Sequence, residues 1–215
     1  MLDEIFRRHN CDKSNEAHCY TAYYESILNP HPSHLLEIGM YEGASLKSWW
    51  EYLPDTEIYG VDDNARDVSD TLEPTLQLPS IHHIFGDSLD SDTKNKIQQM
   101  NSEFDIIIDD GSHYPKDQLQ TFLNFFPLLK PNGIYVIEDI IPCHLPDADV
   151  SYHKNDERVN EFTKEFYDNT FIPSLQSHGS LSFHDFRKET VVNGNMYGIN
   201  SYILQIVNVP DSYLR

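Results

Sequence analysis

Two stretches decide the fold: "FDIIIDDGSH" (104–113) and, one helix-length later, "GIYVIEDI" (133–140). Each opens as a run of large, mostly β-branched apolar residues, the composition of a strand covered on both faces, and each stops abruptly at acids. A strand interior does not tolerate an unpaired carboxylate, because desolvating the charge costs several kcal/mol or forces its neutralisation. Asp109, Asp110, Glu138 and Asp139 must therefore stand where strands meet solvent, a ligand or a cation. Between the two runs, "KDQLQTFLNFFPLLK" sets Leu119, Phe122, Leu123 and Phe126 at helical spacing, and "PNG" turns the chain back. Strand, helix, strand is the unit of a parallel sheet.

The same alternation extends upstream. "SHLLEIG" reads as a short buried strand, and "ASLKSWWEYLP" as an amphipathic helix carrying Leu46, Trp49, Trp50 and Leu53, ended by Pro54. "EIYGVDD" and "IHHIFGD" are further strands, and "SDTKNKIQQM" a polar helix. Beyond Ile141 the pattern changes. "IPCHLPDADVSYHKNDE" is polar, punctuated by proline and carries His144 and His153, so 141–157 reads as a loop or lid. "RVNEFTKEFYDNTF" places Val159, Phe162 and Phe166 on one helix face, and "SLSFHDFRKETVVNGNMYGINSYILQIVN" two strands joined through Asn193 and Gly194. The expected fold class is α/β: a Rossmann-like, doubly wound, mostly parallel sheet with a C-terminal antiparallel strand pair. A helical, aromatic N-terminal segment (1–33) precedes the main domain (34–215).

Thirty-five acidic against 15 basic residues give a formal charge of −20, which repels phosphate backbones and anionic lipid headgroups. Neither nucleic acid nor membrane is the expected partner, and a solvated acidic surface is the plainer account of the excess. "MLDEIFRRHN" lacks an apolar core of signal-peptide length, and no later run has the length of a bilayer span, so a soluble cytoplasmic protein is expected. Cys11, Cys19 and Cys143 are too few and odd in number for a disulfide framework. His18 beside Cys19 in "CDKSNEAHC" suggests zinc, but no second ligand pair follows at finger spacing.

In a doubly wound sheet, ligands bind outside the carboxyl ends of the strands, where strand order reverses. "EIGMYEGAS" offers Glu37, Gly39 and Gly43 at the first such end, with a helix N-terminus behind them. Asp62 ends the next strand, roughly 20 residues on, where a ribose-binding acid is expected. Asp87 ends the third. Singly these are ordinary, since glycines mark any tight turn, an acid can cap a helix, and the spacing departs from the dinucleotide fingerprint. Together they favour a nucleoside ligand.

If the fourth and fifth strands are neighbours, Asp110, Glu138 and Asp139 converge, and three like charges so close require a cation. Oxygen ligands suit Mg²⁺, with Mn²⁺ or Ca²⁺ as alternatives. Asp109 is read as an acid at the edge of the cofactor site that accepts backbone donors. His113, three positions after Asp110, is placed to aim its imidazole into the same cavity. Trp49 and Trp50 are read as packing residues. Tyr20, Tyr23 and Tyr24 either close over the cofactor or pack against a partner subunit of a homo-oligomer.

Residues 35–63 resemble the first motifs of class I S-adenosylmethionine (SAM) dependent methyltransferases, in the "EIGxxxGxS" style of the metal-dependent O-methyltransferases. "DDGSH" followed by "YVIEDI" is similar to a narrower group, the macrolide-sugar O-methyltransferases of the mycinamicin and macrocin type, related to cephalosporin hydroxylase-like proteins. "CDKSNEAHCYTAYY" (11–24) resembles that group's "DKxxxxHxYxxxY" segment. The resemblance implies that Glu37 and the loop Gly39, Met40, Tyr41, Gly43 and Ser45 hold the methionine end of SAM. It implies that Asp62 accepts the ribose hydroxyls, that Asp87 and Ser88 lie by the adenine, that Asp110, Glu138 and Asp139 bind the metal, and that His113 is the general base. The expected function is O-methylation of a sugar or glycoside hydroxyl. The alternatives are methylation of a catechol-like phenol, a SAM-binding module without catalysis, or an oxidation of the hydroxylase-like kind.

Overall fold

The computed structural model describes residues 1–63, 70–141, 157–187 and 201–209. The expected lid with Cys143, His144 and His153, and the loop with Asn193 and Gly194, lie outside the described residues. Seven strands form one sheet: β1 (His34–Ile38), β2 (Glu57–Asp62), β3 (Ile81–Phe85), β4 (Phe104–Asp109), β5 (Leu129–Ile137), β6 (Ser180–Asp185) and β7 (Tyr202–Val207). Their order is β3-β2-β1-β4-β5-β7-β6. The first five are parallel, whereas β7 runs antiparallel to both β5 and β6. The expected α/β class with its antiparallel C-terminal pair is the observed one.

Alternation along the strands divides the interior into two layers. Leu36, Ile38, Val61, Ile107, Tyr135, Ile137 and Leu204 point to one face, where α6 (Pro115–Phe125) brings Phe122 and Phe125. Leu35, Ile58, Ile106, Ile108, Val136 and Ile203 point to the other. That second face is covered by α3 (Ala44–Tyr52) together with α1 (Leu2–Arg8) and α2 (Thr21–Ile27). Trp49 is fully buried there, its ring against Phe6 and Tyr24. Tyr20, Tyr23 and Tyr24 are likewise buried within their own chain and form no surface for a partner subunit.

Two helical readings differ from the structure. In α6 the buried face is Gln118, Thr121, Phe122 and Phe125, and Leu123 is exposed. The helix stops at Phe125 and passes into a 3-10 turn, Phe126–Leu128, so the apolar spacing drawn across both elements mixed two geometries. Near Val159 the chain makes a 3-10 turn, Val159–Glu161. A helix then starts anew at α7 (Lys164–Phe166), where the Thr163 hydroxyl accepts from the Phe166 N–H. It continues through a π-helical turn, Tyr167–Phe171, into α8 (Ile172–Gln176). One short helix was not apparent in the sequence, α4 (Leu72–Leu76), which follows an undescribed segment, whereas α1 and α2 fall in the N-terminal segment expected to be helical. The remaining helix, α5 (Ser91–Met100), follows β3 as expected. No helix among the described residues is long and apolar enough to cross a membrane.

Phe122 is fully buried against Phe126, Tyr135 and His178. Phe122→Ala is expected to lower the unfolding free energy by about 3–5 kcal/mol, measured by urea denaturation.

Candidate functional site

Strand order reverses between β1 and β4, and the loops leaving the carboxyl ends of β1 to β4 enclose a cavity of about 510 Å³. Ile38, Gly39, Tyr41, Asp62, Asp87, Ser88 and Asp110 all line it. The sheet's hydrogen bonding continues one step past the strands. Asp110 N donates to Ile38 O at 2.8 Å, Glu138 N to Asp109 O at 2.9 Å and Gly39 N to Val61 O at 2.8 Å. This brings strand-end acids far apart in sequence to one rim.

Gly39 has φ +95°, and a Cβ there would collide with the backbone carbonyl of Asp110. Only glycine allows the β1 loop to lie this close to β4. Asp62 Oδ2 accepts from Met40 N at 2.8 Å and Tyr41 N at 3.0 Å, tying that loop to β2. Glu37, fully buried in β1, accepts from the Ser45 hydroxyl at 2.9 Å through Oε2, while its Oε1 has no hydrogen-bond partner among the described residues. Burial pushes the Glu37 carboxyl up to about 7, against the pull of Lys13. Asp87 accepts from Leu89 N at 2.8 Å, and the Ser88 hydroxyl pairs with Thr121 Oγ1 at 3.0 Å. Asp109 is buried on β4 and accepts a long 3.3 Å bond from Gly111 N; burial pushes its carboxyl up to about 8.

The acids of β4 and β5 do converge. Asp110, His113 and Asp139 each offer a donor atom, and these lie within 4.8 Å of one another. His113 Nε2 is 3.8 Å from Asp110 Oδ1. His113 and Asp139 hold φ of +59° and +53°, a backbone region that non-glycine residues avoid and that is retained mostly where surrounding structure enforces it. Glu138 lies outside this donor group, because its carboxylate is taken by the Tyr24 hydroxyl and by Lys13 Nζ at 3.0 Å. Asp139 Oδ1 accepts from the Tyr20 hydroxyl at 2.6 Å and lies 3.3 Å from His18 Nδ1. His18 also meets the Ser201 hydroxyl at 2.9 Å, so it is turned to this site and not into a zinc pair with Cys19.

Sequence reasoning missed Lys13. Its side chain is 1% exposed, and its ammonium reaches Asp110 Oδ2 at 2.5 Å, Asp12 Oδ1 at 3.8 Å and Glu37 Oε1 at 3.9 Å besides Glu138. Burial alone would lower its pKa; the carboxylates, Asp110 foremost, outweigh burial and keep it charged. One ammonium does not balance so many acids. Burial and like-charge neighbours push the carboxyls of Asp110 and Glu138 up, the mark of a cluster still short of positive charge. The carboxylate oxygens of such a cluster fit a hard divalent ion. The signal for Lys13, His18, Tyr20 and Tyr24 was present in "CDKSNEAHCYTAYY", whose spacing resembled a family segment without indicating where its side chains point.

A second missed residue is Asp117 of α6, at the cavity wall. Arg158 donates to it through both Nη atoms at 2.7 Å, and Ser112 Oγ at 2.9 Å. The guanidinium also lies 4.0 Å over the Tyr114 ring.

Comparison with known proteins follows this geometry. Residues 36–140 match a family model described as a methyltransferase domain. The chain is 33% identical over 155 residues to the 8-demethyl-8-(2-methoxy-alpha-L-rhamnosyl)-tetracenomycin-C 3'-O-methyltransferase of Streptomyces olivaceus, covering 67% of this chain and 38% of that protein. It is 31% identical to the mycinamicin VI 2''-O-methyltransferase of Micromonospora griseorubida, covering 67% and 37%. To the demethylmacrocin O-methyltransferase of Streptomyces fradiae it is 29% identical over 211 residues, covering 94% and 51%. The chain thus spans half or less of the length of these relatives. Among solved structures, the MycE methyltransferase of the mycinamycin biosynthetic pathway, in complex with Mg and SAH, superimposes with a TM-score of 0.65 at 26% identity, covering 97% of this chain and 53% of that one. The SAH-bound Podospora anserina methyltransferase PaMTH1 gives 0.63 at 15% identity, covering 98% and 88%, a likeness of fold alone.

Burial raises the Asp117 carboxyl, but the Arg158 and Ser112 hydrogen bonds outweigh it and hold it below its ordinary 3.8. A lowered folded-state value contributes stability that is present above pH 3.8 and lost as pH falls through the folded value. Arg158→Met is therefore expected to be less stable than wild type at neutral pH. The part of that deficit due to Asp117 should begin to shrink as urea titrations are carried below pH 3.8 and vanish only once the pH lies below the folded value.

Proposed function

We propose, from the premise that this chain belongs to the methyltransferase domain family, that it is a cytoplasmic SAM- and divalent-metal-dependent O-methyltransferase acting on a sugar hydroxyl of a small glycoside. One observation carries the reading: Asp139 and His113 converge on Asp110, which lines the same cavity as Gly39, Asp62 and Asp87. The named activities of the related tetracenomycin, mycinamicin and macrocin enzymes support the sugar acceptor. The net charge of −20 supports a small acceptor over nucleic acid.

In this reading 34–215 is the transfer domain, and 1–33 completes its site. Glu37 and the Gly39 to Ser45 loop, with Met40, Tyr41 and Gly43, bind the donor's methionine end. Asp62 accepts from the ribose diol, and Asp87 and Ser88 flank the adenine, with Asp109 bracing the loop after β4. Asp110, Glu138 and Asp139 would hold the ion, Mg²⁺ or its relatives Mn²⁺ and Ca²⁺. When bound, the donor supplies an electrophilic methyl on a sulfonium, and the ion lowers the pKa of an acceptor hydroxyl and orients it. The chain's own work is alignment and proton removal. His113 takes the hydroxyl proton on Nε2, the atom that faces Asp110, a task to which an imidazole is suited. Held by Glu37, the Gly39 to Ser45 loop and Asp62, the donor would give up that methyl to the freed oxygen and leave as the neutral thioether.

Label transfer from methyl-labelled SAM to a panel of glycosides is the direct test, with phenolic acceptors beside them for the catechol alternative. Tight SAM binding without transfer to any acceptor would favour a binding module instead. Chelation of divalent ions is expected to abolish turnover, and Mg²⁺ to restore it. His113→Ala should lower kcat by about 100-fold or more at saturating metal while leaving metal affinity unchanged. Loss of metal affinity in parallel would place His113 among the ligands instead.

A further inference from the structure

We infer that Lys13 is a positioning residue for the divalent-ion site, presenting Asp110 Oδ1 to the ion by holding the opposite oxygen of the same carboxylate. The inference rests on the metal reading above and deepens it. Asp110 divides its oxygens: Oδ2 receives Lys13 Nζ at 2.5 Å, whereas Oδ1 faces His113 Nε2 at 3.8 Å. The same ammonium holds Glu138 Oε2 at 3.0 Å, and the Tyr24 hydroxyl holds Glu138 Oε1, which keeps that carboxylate turned from the His113 side.

The arm that carries the ammonium is itself fixed. Lys13 O accepts from Tyr20 N at 3.1 Å, Asp12 O accepts from His18 N at 2.8 Å, and Thr21 Oγ1 approaches Lys13 O at 3.5 Å. From the same turn, Tyr20 and His18 take one oxygen of Asp139, as Lys13 takes one of Asp110. Residues 13–20 thus occupy one oxygen on each of the two acids, and the other oxygen of Asp110 faces His113. Outer contacts of this kind orient ligands, and their loss typically costs about 10–100-fold in metal affinity.

The sign of the effect separates this role from plain electrostatics. A fixed positive charge repels a nearby divalent cation, so removing it should tighten metal binding if charge alone mattered. Removing a positioning group should weaken it.

Calorimetric titration of Mn²⁺ into metal-free wild type, Lys13→Met and Lys13→Arg, each checked for fold by circular dichroism, reads that sign directly. Lys13→Met is expected to bind Mn²⁺ about 10–100-fold more weakly, and Lys13→Arg, which retains the charge, to recover part of the loss. Equal or tighter binding by Lys13→Met, with wild type binding normally, overturns the inference alone. Failure of wild type to bind Mn²⁺ overturns the metal reading and the inference together. A crystal structure of wild type grown with Mn²⁺ tests the same point should Lys13→Met not fold. The ion should contact Asp110 Oδ1 while Lys13 Nζ stays on Oδ2, and an ion found in the lysine's place would overturn the inference.

Discussion

Uncompensated negative charge at the carboxyl edge of the sheet is the constraint that organises this molecule. Parallel strands deliver Glu37, Asp109, Asp110, Glu138 and Asp139 to one rim, and three of these acids, Glu37, Asp109 and Glu138, are at most 2% exposed. Burying several carboxylates together is unfavourable unless cations and hydrogen-bond donors accompany them. The N-terminal segment brings both kinds: the ammonium of Lys13 and the hydroxyls of Tyr20 and Tyr24, with the His18 imidazole beside them. A segment that would otherwise be an appendage on the sheet is thereby made integral to it, and the helices α1 and α2 pack against the same face as α3.

The catalytic proposal follows from that charge imbalance. A site whose carboxyls are raised by burial and by acidic neighbours, while a lysine in their midst stays charged, has room in its electrostatics for further positive charge. The neighbouring cavity is floored by a loop that glycine alone can form so near to β4. Nucleoside recognition and ion recognition are thus adjacent because both use the carboxyl ends of β1, β2, β4 and β5, and strand order reverses between β1 and β4.

The sheet was legible in the sequence because buried parallel strands leave an unmistakable record: short apolar runs, each stopped by an acid or glycine. The strand-end acids were legible for the same reason. Other features were not. The buried face of α6 was misjudged because Phe126 belongs to a 3-10 turn and not to the helix, so a single 3.6-residue period does not describe the stretch. Lys13 escaped notice because a lone lysine in a polar stretch is almost always solvated, and only tertiary structure reveals that the turn 11–20 folds inward. The contacts that Glu138 makes with Tyr24 and Lys13 were not legible either, because both partners lie far upstream in the chain.

Distance along the chain gives these contacts a temporal meaning. Lys13 leaves the ribosome 97 residues before Asp110, and Tyr20 leaves 119 residues before Asp139. At synthesis rates of about 5–20 residues per second, the lysine waits roughly 5–20 seconds for Asp110. Through that interval it stays hydrated, and α1 and α2 have only α3 and the early strands to rest on. Closing the rim is therefore a late, long-range event in the birth of the protein, and whatever shields the young chain must hold the N-terminal helices until β5 arrives.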